Sequence, residues 1–140
     1  MRPRLVGINH VALEVDDIEQ ALDFYGMLFE LKGVERERGG AFVDLGDQFL
    51  ALFEPGSGED SHFGLVVDDK EAARRVLEAA GAAILPGRRL DFRDPFRNRV
   101  QVVQYDQIQF AKSQRVLAGM GLALGKTEQA LAELRAKGLA

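Results

Sequence analysis

Two stretches of the chain alternate between apolar and more polar positions. In the first, Val11, Leu13 and Val15 alternate with other residues, and the same alternation returns over residues 62–67. A period of two is typical of a β-strand with one buried face. Each stretch therefore predicts a strand whose apolar face is covered by a helix.

Each predicted strand is followed by two aspartates and then by apolar residues at helical spacing. The pairs are Asp16-Asp17 and Asp68-Asp69, whose carboxylates can cap the N-terminus of a helix. The spacing predicts one helix over residues 18–28 and a second over residues 70–80. Gly81 follows the second helix and is suited to ending it.

The two strand–helix units are copies of one pattern. Residues 10–22 read HVALEVDDIEQAL and residues 62–74 read HFGLVVDDKEAAR, and they agree at seven of thirteen positions without a gap. Chance would give about one match over such a stretch, so the pattern indicates a duplicated structural unit.

Short runs bounded by turn residues predict the remaining strands. These runs are residues 41–45 and 48–54 in the first copy and residues 83–85, 89–93 and 100–105 in the second. Each copy is therefore interpreted as a β-α-β-β-β module. Module one spans about residues 5–54 and module two about residues 61–106. Residues 55–60, rich in glycine and acidic residues, have the composition of a linker.

After Asp106 the pattern changes. Residues 108–124 are helical in character but are interrupted by two glycines, and a last helix is predicted over residues 128–137. The extension 107–140 is interpreted as a packing element on the domain or on a partner subunit. The alternative is a lid over a ligand site.

Composition limits the classes of function. A chain of 140 residues with 46% apolar and 29% charged residues is typical of one globular domain. The absence of cysteine excludes disulfides and thiolate chemistry. The net charge of −4 gives no reason to expect nucleic acid as a partner. With no signal-like or membrane-spanning segment, we expect a cytoplasmic protein without a membrane anchor.

The only two histidines of the chain, His10 and His62, open equivalent strands of the two copies. Each lies on the strand face opposite the predicted helix. Three roles are open to them: metal ligands, polar groups in a metal-free ligand site, or purely structural residues.

Further residues fit a known arrangement. Residues 21–25 read ALDFY, residues 67–69 after His62 read VDD, and residues 94–98 place Asp-Pro and an asparagine before the last strand. In order and spacing, with His10, they resemble the vicinal oxygen chelate superfamily of glyoxalases, bleomycin-resistance proteins and extradiol dioxygenases. The resemblance covers about residues 5–105. It implies an α+β fold in which tandem βαβββ modules form a cupped, partly closed mixed β-sheet barrel, here with a C-terminal helical tail.

The resemblance also implies a metal site inside the cup. Its ligands would be His10, His62 and a carboxylate of the last strand, but Gln101 stands at that carboxylate position. A glutamine can donate a neutral oxygen to Zn, Ni, Fe or Mn, yet it lacks the charge that holds a divalent cation and cannot act as a base. Glu14, further along the strand face of His10, is the candidate catalytic base or a more distant ligand, and the alternative is a partly solvated position at the rim of the cup.

Aromatic and arginine residues are the candidates for ligand binding. Phe49, Phe53 and Phe92 could line a site for a flat apolar ligand, although ordinary packing is the alternative. Arg93 could hold an anionic group, whereas the arginines around it have the pattern of a solvated edge.

Two functions follow from the resemblance. One is a divalent-metal-dependent lyase, isomerase or dioxygenase acting on a small molecule with vicinal oxygens. The other is a metal-free protein that binds and sequesters a small drug or metabolite. A third, interaction-only role would use the tail as a contact surface. Homodimer formation is also implied by the resemblance, while the sequence leaves open whether the modules pair within the chain or across the dimer.

Overall fold

A computed structural model describes all 140 residues and shows two βαβββ modules followed by a helical tail. Module one comprises β1 (Leu5–Glu14), α1 (Ile18–Leu28), β2 (Val34–Glu37), β3 (Gly40–Asp44) and β4 (Phe49–Phe53). Module two comprises β5 (His62–Val67), α2 (Lys70–Ala79), β6 (Ala83–Ile84), β7 (Leu90–Arg93) and β8 (Arg99–Gln104). The tail begins with a 3-10 turn at Tyr105–Gln107 and contains α3 (Gln114–Gly119) and α4 (Glu128–Ala136).

The two modules share one eight-stranded mixed sheet with the order β2-β3-β4-β1-β5-β8-β7-β6. Within each module the first and last strands pair in parallel, β1 with β4 and β5 with β8. The first strands of the two modules, β1 and β5, pair antiparallel and join the halves. The predicted α+β class is thus confirmed, and the modules pair within the chain.

Helices cover the convex face of the sheet, as the alternation predicts. Ile18 and Leu22 of α1 are buried against Leu52 and its neighbours, and Ala73 of α2 is buried against Val67 of β5 and its neighbours. Aspartates cap both helices: Asp17 accepts from the Gln20 N–H at 2.8 Å and Asp69 from the Ala72 N–H at 3.0 Å.

The tail packs on the opposite face, over one end of the sheet of its own chain. Phe110 and Leu117 are buried against Val6, Val66 and Tyr105. The Lys126 ammonium fixes the start of the tail, since it donates to the backbone carbonyls of Tyr105, Ile108 and Phe110. The tail is therefore a packing element of this domain.

The structure differs from the predicted elements mainly in this tail. The helical stretch expected over residues 108–124 is a helix only over Gln114–Gly119. Gly121 has a φ of 74°, a left-handed conformation that ends a helix. Strand β2 was not predicted from the sequence, because residues 34–37 carry mostly charged side chains and lie at the exposed edge of the sheet.

No helix combines the length and apolar character that crossing a membrane requires.

Candidate functional site

The two histidines meet at the centre of the concave face, as the repeat predicts. His10 lies on β1 and His62 on β5, the two strands that join the modules. Both are buried, and their ring centroids are 5.4 Å apart with the rings nearly perpendicular. Gln101 of β8 lies opposite Gly64 in the register, so its side chain emerges beside the pair.

Gly64 makes room for this arrangement. A Cβ atom on this residue would lie 2.1 Å from Asn9 Oδ1 and 2.3 Å from His10 Nδ1, well inside van der Waals contact. The glycine that follows His62 by two positions is therefore needed so that the His10 side chain can cross the neighbouring strand.

Each imidazole is oriented through Nδ1. His10 Nδ1 is 2.9 Å from Asn9 Oδ1, and His62 Nδ1 is 2.7 Å from the Asp60 carbonyl oxygen. Because both partners are oxygen acceptors, the neutral form of each ring carries its proton on Nδ1 and donates it, which leaves Nε2 as the acceptor nitrogen of that form.

The His10 imidazole is held neutral. Burial lowers its pKa to about 4, and electrostatic interactions with His62 and Arg89 act in the same direction. The nearby Gln101 side chain and Asp91 only partly offset them. At neutral pH, His10 thus offers a lone pair and no charge.

Module one gives the cup an aromatic wall. The Phe49 ring stacks on His10 with centroids 4.6 Å apart and an interplanar angle of 5°. Phe42 meets both Phe49 and Phe53 edge-on at 5.8 Å. These rings form an apolar surface next to the neutral imidazole.

Module two gives the corresponding wall an ionic character. Asp91 pairs with Gln101 in the register, just as Phe42 pairs with Ala51 in module one. The buried Arg99 guanidinium donates to Asp91 at 2.6 and 2.9 Å and to Asp60 at 2.7 Å.

Charges in this wall compensate one another. Burial works against the charged form of Arg99, but the carboxylates of Asp60 and Asp91 raise the pKa of Arg99 above its ordinary value. Arg89 is paired with Glu59 of the linker, which also lies 3.0 Å from Arg99. The two modules thus share one backbone pattern, but module one lines the cup with aromatic side chains and module two lines it with ion-paired side chains.

The cup contains two neighbouring chambers whose linings share His10, Phe42, Phe49 and Gln101. The tail chamber has a volume of about 510 Å³ and is closed on one side by residues 107–110 and by α4. The linker chamber, of about 260 Å³, extends past His62 to Glu59 and Arg89. The tail chamber falls in the size range of small-molecule sites.

Most of the predicted site residues come together here. His10 and Phe49 line both chambers together with Gln101, while His62 and Phe53 line the linker chamber. The remaining three predicted residues do not join them.

Those three residues lie elsewhere for local reasons. Glu14 is exposed at the end of β1 and lines neither chamber. Phe92 packs in the core cluster beneath α2, because it alternates with Asp91 and so points to the convex face. Arg93 lines a separate open groove and pairs with Asp60 at 3.0 Å.

Several residues of the site escaped prediction. Asn9 and Asp91 are buried polar residues of strands, and the alternation of Asp91 with Leu90 and Phe92 would have placed it on the concave face. Glu59 and Arg89 lie in loops, where no sequence period indicates a direction.

The donor groups fit a resident divalent cation poorly. His10, His62 and Gln101 bring no negative charge to a cation, and no cluster of three or more histidine, cysteine, aspartate or glutamate residues is positioned to hold a metal. Ala51, the counterpart of Gln101 on the last strand of module one, offers no donor group, and the Arg89 guanidinium lines the same chamber. Sites for divalent cations commonly combine histidine with carboxylates or thiolates, and this set of donors lacks both.

Comparisons with solved structures agree with the fold. Methylmalonyl-CoA epimerase of Streptomyces coelicolor, bound to 2-nitronate-propionyl-CoA, matches with a TM-score of 0.56 and 18% identity over 74% of this chain and 100% of that one. The epimerase of Mycobacterium tuberculosis matches with a TM-score of 0.54 and 16% identity over 81% and 93%. A hypothetical protein of Bacillus halodurans C-125 matches with a TM-score of 0.52 and 19% identity over 76% and 98%.

The sequence also matches a family model. The match covers residues 7–102, which is more than half of the chain and includes both modules but not the tail. With the paired βαβββ modules and the two facing histidines, this match identifies the protein: the chain belongs to the glyoxalase/bleomycin resistance protein/dioxygenase superfamily.

Proposed function

We propose that this protein binds and sequesters a small organic molecule in the cup between its modules, without a resident divalent metal. The observation that carries the proposal is the stack of Phe49 on a buried, neutral His10 at the junction of both chambers. A flat apolar ligand would extend this stack, and the surrounding polar groups would fix its orientation.

The polar groups around the stack are suited to direct hydrogen bonding. His10 offers Nε2 as an acceptor, and Gln101 offers both a donor and an acceptor on the other side. These groups can form hydrogen bonds directly to a ligand, without a metal ion between them. The carboxylates near His62 are held in ion pairs with Arg89 and Arg99, which makes them poor general bases.

A second candidate function is a metal-dependent lyase, isomerase or dioxygenase. One observation favours it: both histidines have Nδ1 bound to an oxygen acceptor, which is how metal-binding histidines are usually oriented. In that case His10, His62 and Gln101 would hold the ion, which would polarise oxygens of the substrate. Glu14 is the remaining candidate base, and it is exposed and lines neither chamber, which counts against this function.

Metal analysis separates the two candidates. Untagged protein would be assayed for metal content and titrated with Zn, Ni, Mn and Fe(II) in a thermal-shift assay, with His62→Ala as the control. Sequestration predicts substoichiometric metal and no shift that depends on His62. Near-stoichiometric metal that is lost in His62→Ala would favour the enzyme and contradict the metal-free proposal.

Ligand binding would be measured by saturation-transfer NMR with a library of small aromatic compounds. Compounds that bind should lose their signal in Phe49→Ala and keep it in Phe96→Ala, because Phe96 is 80% exposed and lines neither chamber. Equal losses in both variants would argue against binding in the cup. The homodimer and the cytoplasmic location stay predictions, and light scattering would test the former.

A further inference from the structure

The mouth of the tail chamber carries an excess of negative charge. Four carboxylates line the chamber, those of Glu35, Asp44, Asp47 and Glu133, against a single ammonium, that of Lys137. Lys137 is itself engaged, since it lies 3.4 Å from Asp44 and donates to the Gly46 carbonyl oxygen. Arginine is absent from this chamber, so an anionic ligand would meet net electrostatic repulsion there.

Amide side chains inside the chamber add further acceptors. Gln48 donates an amide N–H to the Ile8 carbonyl oxygen at 2.9 Å, and Gln109 donates to Glu133 at 3.0 Å. Each amide thus uses one of its two N–H donors within the protein, while its amide oxygen has no partner there and can accept from a ligand. The chamber therefore presents more acceptors than donors.

An independent observation points into the same space. His10 is only 6% exposed, yet it lines the chamber with Nδ1 already bound to Asn9. The ring nitrogen left to a ligand is the acceptor Nε2. A buried acceptor beneath an acceptor-rich, acidic mouth matches a donor-bearing, positively charged ligand.

We propose that the tail chamber takes an organic cation, an aromatic or heteroaromatic amine. Its ring would pack on Phe49 and Phe42, and its ammonium group would lie between Glu35 of β2 and Glu133 of α4. This inference rests on the proposed binding function and names its ligand class. It also gives the tail a role in specificity, because residues 107–110 and α4 lie outside the part of the chain that matches the family model.

The test uses three probes that share an indole ring and differ in charge: tryptamine, tryptophol and indole-3-propionate. Calorimetric titration of the full chain at pH 7.5 and low salt should give affinities in the order amine, alcohol, acid. We expect tryptamine to bind about fivefold more tightly than tryptophol, and salt to reduce this preference.

Charge-neutral variants give the control. Glu35→Gln combined with Glu133→Gln should bring tryptamine to the affinity of tryptophol and leave tryptophol unchanged. The pair Glu30→Gln and Glu128→Gln removes the same charge from exposed positions outside the chamber and should preserve the preference.

The outcomes separate this inference from the proposed function. Tryptophol binding that depends on Phe49, without any advantage for the amine, would overturn the inference and leave the binding function standing. An advantage for the amine that persists in the Glu35 and Glu133 variant would also overturn it. If none of the three indoles binds the wild-type protein, the proposed binding of aromatic ligands fails as well.

Discussion

Replacement of Gly64 by alanine tests the geometry of the site most directly. The added Cβ would lie 2.1 Å from Asn9 Oδ1, whereas ordinary contacts begin at 3.4 Å, so the neighbours must move by about 1.3 Å. His10 cannot simply retreat, because Phe49 stacks on its ring. Overpacking of this kind costs about 1–3 kcal/mol, and loss of the Asn9–His10 hydrogen bond adds about 1 kcal/mol. We expect the free energy of unfolding to fall by about 2–4 kcal/mol.

The assay is urea unfolding followed by circular dichroism, with Gly119→Ala as the matched control. Gly119 lies at the end of α3, and a Cβ atom added there would meet no atom within 4 Å apart from its chain neighbours and the backbone of its own helix. Alanine at this position should raise the free energy of unfolding by about 0.5 kcal/mol. A second readout is NMR titration of the His10 imidazole, whose pKa should move up from about 4 in the Gly64 variant as the ring is displaced.

Two results would refute this reasoning. One is a Gly64→Ala protein as stable as the wild type, and the other is an unchanged low pKa of His10 in that variant. Either would mean that the His10 side chain does not cross β5 over Gly64.

Three further predictions concern stability. Because burial holds the pKa of His10 at about 4 in the folded chain against 6.5 ordinarily, its contribution is present above pH 6.5 and is lost as the pH falls toward 4. Urea unfolding across this range should show a loss of about 2–3 kcal/mol that is absent in His10→Gln. Arg99→Met should lower the free energy of unfolding by about 3–5 kcal/mol, because it leaves Asp91 buried without its cation; Arg36→Met, which breaks an exposed ion pair, should change the urea midpoint little. Lys126→Met should cost about 1–3 kcal/mol and speed amide hydrogen exchange at the start of the tail, where three carbonyls lose their donor; unchanged exchange there would contradict the role assigned to this ammonium.

Much of the fold could be predicted because the chain repeats itself. The period of two fixed which face of β1 and β5 the helices cover, and the two copies placed His10 and His62 at equivalent points. The aspartate pairs marked both helix starts. These are local signals, and tertiary packing did not override them.

The rest of the site depended on information that is not local. The alternation puts Glu14 on the face of His10, but β1 ends there and the side chain reaches solvent instead of the cup. Linker and loop residues such as Glu59 and Arg89 lie near the histidines only because the two modules pack together in the folded chain. In the tail, the apolar spacing predicted a longer helix than the one that forms. Its glycines end the helix early, and the Lys126 contacts hold residues 105–110 in an irregular backbone path.

The antiparallel pairing of β1 with β5 has a consequence for how the protein would behave on dilution. Since both halves of the cup and the tail beside it belong to one chain, a single copy carries both histidines and all the residues that line the two chambers. Ligand affinity should therefore be independent of protein concentration. Mixtures of wild-type and Phe49→Ala chains should bind ligand in simple proportion to the wild-type fraction.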